Sequence, residues 1–181
     1  MKTEKLWEVV DLLGACTSIE LTPERSTITF NGGSIVLEGD HYEIFIGGET
    51  ASADSCGNLS GDIVSTICAL RGIDLMQFLA ARKDENANAE YFGMVTAFAI
   101  NESDRITSLR ATVHELSFVR ADGVEIIFND GGREIRYKGE IVEAFAAPYF
   151  LDDVRDNERT NVLENALAED FDSAKADIDE F

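Results

Sequence analysis

Apolar residues recur at helical spacing in three parts of the chain. Four of them, beginning at Leu6, lie three or four residues apart and precede Gly14, a pattern that predicts a helix over 3–13. The same spacing predicts two helices in the middle of the chain that meet near Gly72, and another helix over 157–171. The chain therefore carries predicted helices near both termini and a helical pair between them.

Short alternating runs separated by turn residues predict strands in the rest of the chain. Asn31-Gly32 is a strong hairpin signal, because both central residues of a type I′ turn need a positive φ. The predicted strands are 18–22, 27–30, 34–37, 41–46, 91–100, 107–120, 124–128 and 134–137. Residues 140–145 fit a strand or a helix, 49–58 a loop and 173–181 a frayed end. Together these patterns predict an α+β fold, with antiparallel hairpins at Thr27–Leu37 and Val124–Tyr137.

A polar connector over 84–90 is the predicted boundary between two halves. Residues 1–85 would form an N-terminal α/β half, and 86–181 a C-terminal β-meander half with a terminal helix and an acidic tail. A single domain is the alternative. The segments Phe30-Asn31-Gly32-Gly33 and Phe128-Asn129-Asp130-Gly131-Gly132 resemble each other. Either a duplication or two ordinary hairpin turns would produce this similarity.

The net charge of the chain indicates which class of partner the protein would bind. Its 181 residues include 35 Asp and Glu but 15 Lys and Arg, a net charge of −20, although 45% of the residues are hydrophobic. Disordered acidic proteins lack this apolar content, so the composition indicates a folded body with a negative surface. Such a surface repels nucleic acid and anionic membranes and attracts basic partners.

Two stretches concentrate the negative charge. No Lys or Arg occurs between Arg25 and Arg71, and the last 33 residues hold eleven acids and three bases, a net charge of −8. Either a solubilising surface or a surface that occupies a site for phosphates would have this charge pattern. The candidate partner-binding residues are Glu38, Asp40, Glu43, Glu49, Asp54, Asp152, Asp153, Asp156 and Glu158.

Motifs for catalysis or cofactor binding are missing from the sequence. The segment from Gly57 to Gly61 resembles the Gly-x-Ser-x-Gly nucleophile elbow of hydrolases, but its serine is shifted by one position. We interpret it as a loop before a helix with Ser60 as N-cap. Cys56 could act as a nucleophile with His41 or His114 as its base, but an unreactive surface thiol is the preferred interpretation. The other two cysteines fit core positions. We therefore expect no enzyme activity, no cofactor and no metal.

The overall composition and the stretch without bases after Arg25 resemble acidic inhibitors of phages and mobile elements, of the anti-CRISPR or antirestriction type. The resemblance implies an inhibitor that binds the basic nucleic-acid cleft of a nuclease by nucleic-acid mimicry. An immunity protein against a basic toxin and a small enzyme or ligand-binding domain are the alternatives. No leader-like apolar run follows Met1 and the three cysteines cannot all pair, so we expect the cytoplasm of a host cell.

Overall fold

A computed structural model of the chain describes residues 6–13, 16–82, 88–146, 150–156 and 161–180. The fold is α+β, as the sequence predicts, with ten strands and seven helices in these ranges. The chain divides into two compact units after Asn101, rather than at the predicted position 85. We refer to them as the N-terminal unit and the C-terminal unit.

The N-terminal unit contains a five-stranded antiparallel meander in which each strand pairs with the next along the chain. The predicted hairpin at Thr27–Leu37 is part of it. Its strands are β1 (Cys16–Leu21), β2 (Ser26–Phe30), β3 (Gly33–Glu38), β4 (His41–Ile46) and β5 (Glu49–Asp54). Its helices are α1 (Leu6–Leu13), α2 (Leu59–Arg71), α3 (Leu75–Arg82) and α4 (Ala89–Asn101).

A row of isoleucines across the sheet forms the centre of the N-terminal core. The register places Ile19, Ile28, Ile35 and Ile44 side by side on β1 to β4, and each is fully buried. Helix α2 packs against β4 and α4 against β1, while α1 contacts both helices. Because each fully buried aliphatic side chain contributes about 1.5–3 kcal/mol, this row is a major source of stability.

The C-terminal unit contains a second five-stranded antiparallel meander. Its strands are β6 (Ile106–Thr112), β7 (Glu115–Arg120), β8 (Val124–Asn129), β9 (Gly132–Tyr137) and β10 (Glu140–Ala146). Its helices are α5 (Phe150–Arg155), α6 (Val162–Ala168) and α7 (Asp172–Asp179). The row Leu109, Phe118, Ile126 and Ile135 is buried and aligned across β6 to β9. The predicted hairpin at Val124–Tyr137 is confirmed.

The two meanders repeat one plan at a separation of 90 to 91 residues. Both first strands have a register shift at the same place, Cys16/Ser18 in β1 and Ile106/Ser108 in β6. The threonine inside each shift donates its hydroxyl to a carbonyl of the next strand at 3.3 Å. Because a bulge is a specific local feature, its recurrence with the same hydrogen bond indicates an internal duplication.

The turn after each first strand also repeats. Thr22 Oγ1 accepts from the backbone N–H of Arg25 at 3.1 Å, and Thr112 Oγ1 accepts from that of Glu115 at 3.0 Å. The segment after Phe128 that resembles the one after Phe30 does not mark the equivalent hairpin. The segment after Phe30 joins the second and third strands of the N-terminal meander, β2 and β3. The segment after Phe128 joins the third and fourth strands of the C-terminal meander, β8 and β9. Similar turn chemistry explains that sequence similarity.

Three strand and loop predictions are wrong. Residues 107–120 were expected to be one strand but form the antiparallel strands β6 and β7, which Val113 and His114 separate. Residues 91–100 were expected to be a strand but belong to α4, in which Phe92, Val95 and Ala99 are buried at helical spacing. Residues 49–54 were expected to belong to a loop but form β5. The turn Gly47-Gly48, with both φ angles positive, folds β5 back on β4, so pairing compensates for its small polar residues.

The helix predictions need smaller corrections. Asp74 caps α3, as expected, since it accepts from the Gln77 N–H at 2.8 Å. Asn58, rather than Ser60, is the N-cap of α2 and accepts from the Gly61 N–H. Near the C terminus α6 begins only at Val162, and the predicted residues 157–160 lie outside the described part of the chain. The tail is the helix α7 and not frayed, although none of its residues is buried.

In the described ranges no single helix is long and apolar enough to cross a membrane, while α2 and α3 meet the criterion only as a pair bent by 93°.

Candidate functional site

One face of the N-terminal sheet is open and acidic, and we call it the N-terminal outer face. Side chains alternate along a strand, so the residues between the buried isoleucines point away from α2. These residues are Ser18, Glu20, Thr27, Thr29, Ser34, Val36, Glu38, His41, Glu43, Phe45, Thr50, Ser52 and Asp54. Four of them are carboxylates and six carry hydroxyl groups, so the face is polar almost throughout.

The strand register determines the spacing of the four carboxylates. Glu20 and Glu43 lie in one row across the sheet with Thr27 and Val36 between them, which separates their Cα atoms by about 14 Å. Glu38 and Asp54 flank His41 in the next row and are about 10 Å apart. Each is about 8 Å from Glu43 along the diagonal. The face therefore presents separated negative charges at nearly regular intervals.

Few basic groups lie close to these carboxylates. Arg25 Nε is 3.7 Å from Glu38 Oε1, and His41 Nδ1 is 2.7 Å from Asp54 Oδ1. Both pairs are exposed, so solvent screens them and each contributes at most about 1 kcal/mol. Within the described ranges Glu20 and Glu43 have no ion-pair partner. The formal charges of the four carboxylates and the one guanidinium sum to about −3 on this face.

The equivalent face of the C-terminal sheet is closer to charge balance. Alternation places Arg110 and Arg136 on it together with Glu115, Glu125 and Glu134, a formal net charge of about −1. Arg136 Nε also forms an ion pair with Glu134 Oε1. The two sheets repeat the same backbone plan, but the N-terminal outer face has the larger acidic excess.

The structure brings together only some of the predicted partner-binding residues. Glu38, Glu43 and Asp54 lie on the N-terminal outer face. Asp40 occupies the turn between β3 and β4, and Glu49 lies on the opposite, helix-facing side of β5.

The remaining predicted acids belong to the C-terminal unit. Asp152 and Asp153 lie in α5, where Asp152 pairs with Arg155 at 3.2 Å, and Asp156 follows that helix. Glu158 lies outside the described residues. Glu20 is absent from the predicted set, because it precedes the stretch without basic residues that begins after Arg25. Its position between Ile19 and Leu21, both buried, is the signal that could have identified it.

The cysteines and histidines do not form a nucleophilic pair. Cys56 is exposed in the loop before α2, whereas Cys16 and Cys68 are buried. Burial raises the pKa of the Cys16 thiol to about 12. The two imidazoles each lie beside a carboxylate, that of Asp54 for His41 and that of Asp130 for His114. This arrangement supports the interpretation of Cys56 as an unpaired surface thiol.

Thiol labelling of the folded protein is expected to modify one cysteine rapidly, namely Cys56. Cys16 is buried and stays protonated at neutral pH, so it should react only after unfolding, when all three thiols become accessible. The measurement is the number of protein thiols that react with a chromogenic disulfide reagent, with and without denaturant. The Cys56→Ser variant is the control and should show no rapid phase. A rapid phase in that variant would contradict the burial of Cys16 and Cys68.

A cavity of about 390 Å³ lies inside the C-terminal unit, between β8, β9 and α6. Phe128, Val162 and Ala166 supply its apolar lining, and Arg133 and Glu169 supply charged groups. Glu169 accepts hydrogen bonds from both terminal nitrogens of Arg133, at 2.8 and 3.0 Å. The charge of the cavity is therefore neutralised within the protein, which favours a structural role for this pair.

No cluster of three or more potential metal ligands occurs in the described part of the chain. No protein-family profile matches this sequence, and no match was found among curated proteins or among solved structures.

Proposed function

We propose that this protein is an inhibitor that binds the basic nucleic-acid cleft of a nuclease, with the N-terminal outer face in the place of nucleic acid. The observation that carries the proposal is the acidic excess on one open sheet face, where Glu20, Glu38, Glu43 and Asp54 lie and Arg25 is the one guanidinium paired with them among the described residues. A nuclease cleft presents Lys and Arg to phosphates, and separated carboxylates are the protein groups that resemble phosphates most closely in charge.

The comparison between the two sheets supports binding over simple solubility. Acids that only keep a protein soluble have no reason to favour one of two equivalent faces. Here the C-terminal outer face sets three glutamates against Arg110 and Arg136, whereas the N-terminal outer face sets four carboxylates against Arg25 alone. A face that must meet a basic partner requires such an excess, because charge complementarity accelerates association and selects the partner.

The polar neighbours of the acids fit the same role. Thr27 lies between Glu20 and Glu43, and Thr29 and Ser34 lie in the adjacent row of the same face, so hydroxyl groups extend the polar surface around the acids. Arg and Lys side chains of a cleft offer several N–H donors, and both carboxylates and hydroxyls accept such hydrogen bonds. The face can thus satisfy a row of basic side chains without a large apolar contact.

Binding to purified nucleases tests the proposal. The panel contains restriction endonucleases and RNA-guided nucleases, and binding is measured at about 50 mM and about 200 mM salt. We expect at least one partner whose affinity falls about tenfold or more between these concentrations, because screening weakens charge-driven association. An uncleavable nucleic-acid ligand of that nuclease should displace the protein.

Two results would overturn the proposal. One is that no nuclease of the panel binds at low salt. The other is that a nuclease binds this protein and its nucleic acid at the same time without competition, which would place the protein outside the cleft.

A further inference from the structure

We propose that the outer edge of β5 is the docking site for an extended segment of the basic partner, which adds one antiparallel strand to the N-terminal sheet. The inference deepens the proposed function and rests on it for the charge of the partner. The first observation is topological: β5 lies at the end of the strand order, and within the part of the chain that the structure describes it pairs with β4 alone. Its other edge therefore has main-chain groups without a strand partner.

The turn between β4 and β5 determines which main-chain groups these are. Gly47 and Gly48 have φ values of 60° and 89°, as a two-residue type I′ turn requires. In such a hairpin the residues that flank the turn, here Ile46 and Glu49, form a hydrogen-bonded pair, and hydrogen-bonded and other pairs then alternate. The N–H and C=O groups of Thr50, Ser52 and Asp54 consequently point away from β4.

This edge lacks the features that usually prevent strand addition. Between Glu49 and Asp54 there is no proline, no lysine and no register shift relative to β4. The edge strand of the C-terminal unit differs: β10 has a register shift between Ile141 and Glu143, and α7 packs against it. Of these two edges, only that of β5 is regular along its whole length.

Charge selects the occupant of the β5 edge. Glu49 and Asp54 lie at the two ends of the strand, and Glu43 lies beside Ser52 on β4. Because Thr50, Ser52 and Asp54 carry the outward groups, an antiparallel second copy would pair Ser52 with Ser52 and Thr50 with Asp54. It would bring the Glu49 and Asp54 carboxylates of both copies along one seam without a basic group in either strand, and these like charges repel each other. A segment with Lys or Arg at its ends forms opposite-charge pairs instead.

The small side chains in the middle of β5 limit side-chain contacts with an added strand but do not prevent main-chain pairing. Ala51, Ser52 and Ala53 are small, so main-chain hydrogen bonds would supply most of the affinity of an added strand. The side chains of Thr50, Ser52 and Asp54 belong to the N-terminal outer face. Alternate side chains of the added strand would extend that face, which lets one basic partner engage the edge and the acids together.

Proline at position 52 tests this inference, because it removes an outward N–H without removing a hydrogen bond to β4. The probe is the labelled synthetic peptide Lys-Val-Thr-Val-Thr-Lys, measured by fluorescence anisotropy. We expect wild-type protein to bind it and Ser52→Pro to bind it about tenfold or more weakly. Ser52→Ala keeps the N–H and should bind like wild type. N-methylation of alternate residues in the peptide should reduce binding similarly.

Several outcomes would overturn the docking site. They are the absence of peptide binding, equal binding by folded Ser52→Pro, and equal binding of the N-methylated peptide. If Ser52→Pro does not fold by circular dichroism, Thr50→Pro tests the same edge at another outward N–H. A wild-type dimer that Ser52→Pro dissociates would overturn the choice of a basic partner in favour of a second copy.

The nuclease experiments distinguish this inference from the proposed function. If nucleic acid competes with the protein for a nuclease but Ser52→Pro binds that nuclease normally, the edge inference fails alone. If the peptide results are as expected and no nuclease of the panel binds, the proposed function fails while the strand-docking edge remains.

Discussion

Replacing Glu20, Glu43 and Asp54 together with Lys should weaken binding to a nuclease partner about 100-fold at low salt. These residues supply three of the four carboxylates on the N-terminal outer face, and the change makes the face positive. Loss of attraction and new repulsion toward a basic cleft act in the same direction. Most of the reduction should appear in the association rate, because long-range charge steers encounter.

A matched variant separates the effect of position from that of net charge. Asp104, Glu125 and Glu140 belong to the C-terminal unit, and replacing them with Lys changes the net charge by the same six units. This variant should reduce binding by no more than about threefold. Both variants should remain folded, since none of the six residues is buried and each surface substitution changes stability by within about 0.5 kcal/mol. Equal losses in the two variants would contradict a specific acidic face.

Replacing Arg133 with Ala should lower the free energy of unfolding by about 2–3 kcal/mol. Its side chain is only 13% exposed and bonds Glu169 twice and Glu143 once, at 2.8 to 3.1 Å. The guanidinium also stacks over the ring of Phe145, at 5.3 Å from the centroid. The substitution removes these contacts and leaves two carboxylates near each other. We place the loss below that of a fully buried pair because both glutamates are about one-third exposed.

Chemical denaturation followed by circular dichroism measures this loss. Arg136 is a suitable control, because it lies on the same strand but on the outer face and is 42% exposed. Arg136→Ala should cost less than about 1 kcal/mol. Replacing Glu169 and Arg133 singly and together gives their coupling energy. A loss of less than about 1 kcal/mol for Arg133→Ala would contradict the structural role of the pair.

The sequence by itself determined the features that depend on neighbouring residues. Alternation and turn glycines located β2, β3 and β4 almost to the residue, and helical spacing with a capping residue located α2 and α3. These signals are reliable because they act through local backbone angles and through the period of side chains on one face. The acidic charge and the absence of basic residues after Arg25 were equally visible, since they require no folding.

Tertiary structure decided the identity of two elements whose local pattern is ambiguous. The apolar run at 91–100 suits a buried strand or a buried helix, and packing against α1 and β1 makes it the helix α4. The small polar residues of 49–54 favour a loop locally, but pairing with β4 makes them the strand β5. In both cases contacts outweigh weak local propensity.

Which acids lie together was also decided only by the tertiary structure. Glu20 joins Glu43 because pairing between β1, β2, β3 and β4 aligns residues that are 23 positions apart in the chain. Glu49 is closer to Glu43 in sequence, yet it lies on the opposite side of the sheet. A shift of one residue in strand register moves a side chain to the other face, so proximity in sequence does not predict a shared surface. The sequence determined that this protein is acidic, and strand register determined which face carries the unbalanced charge.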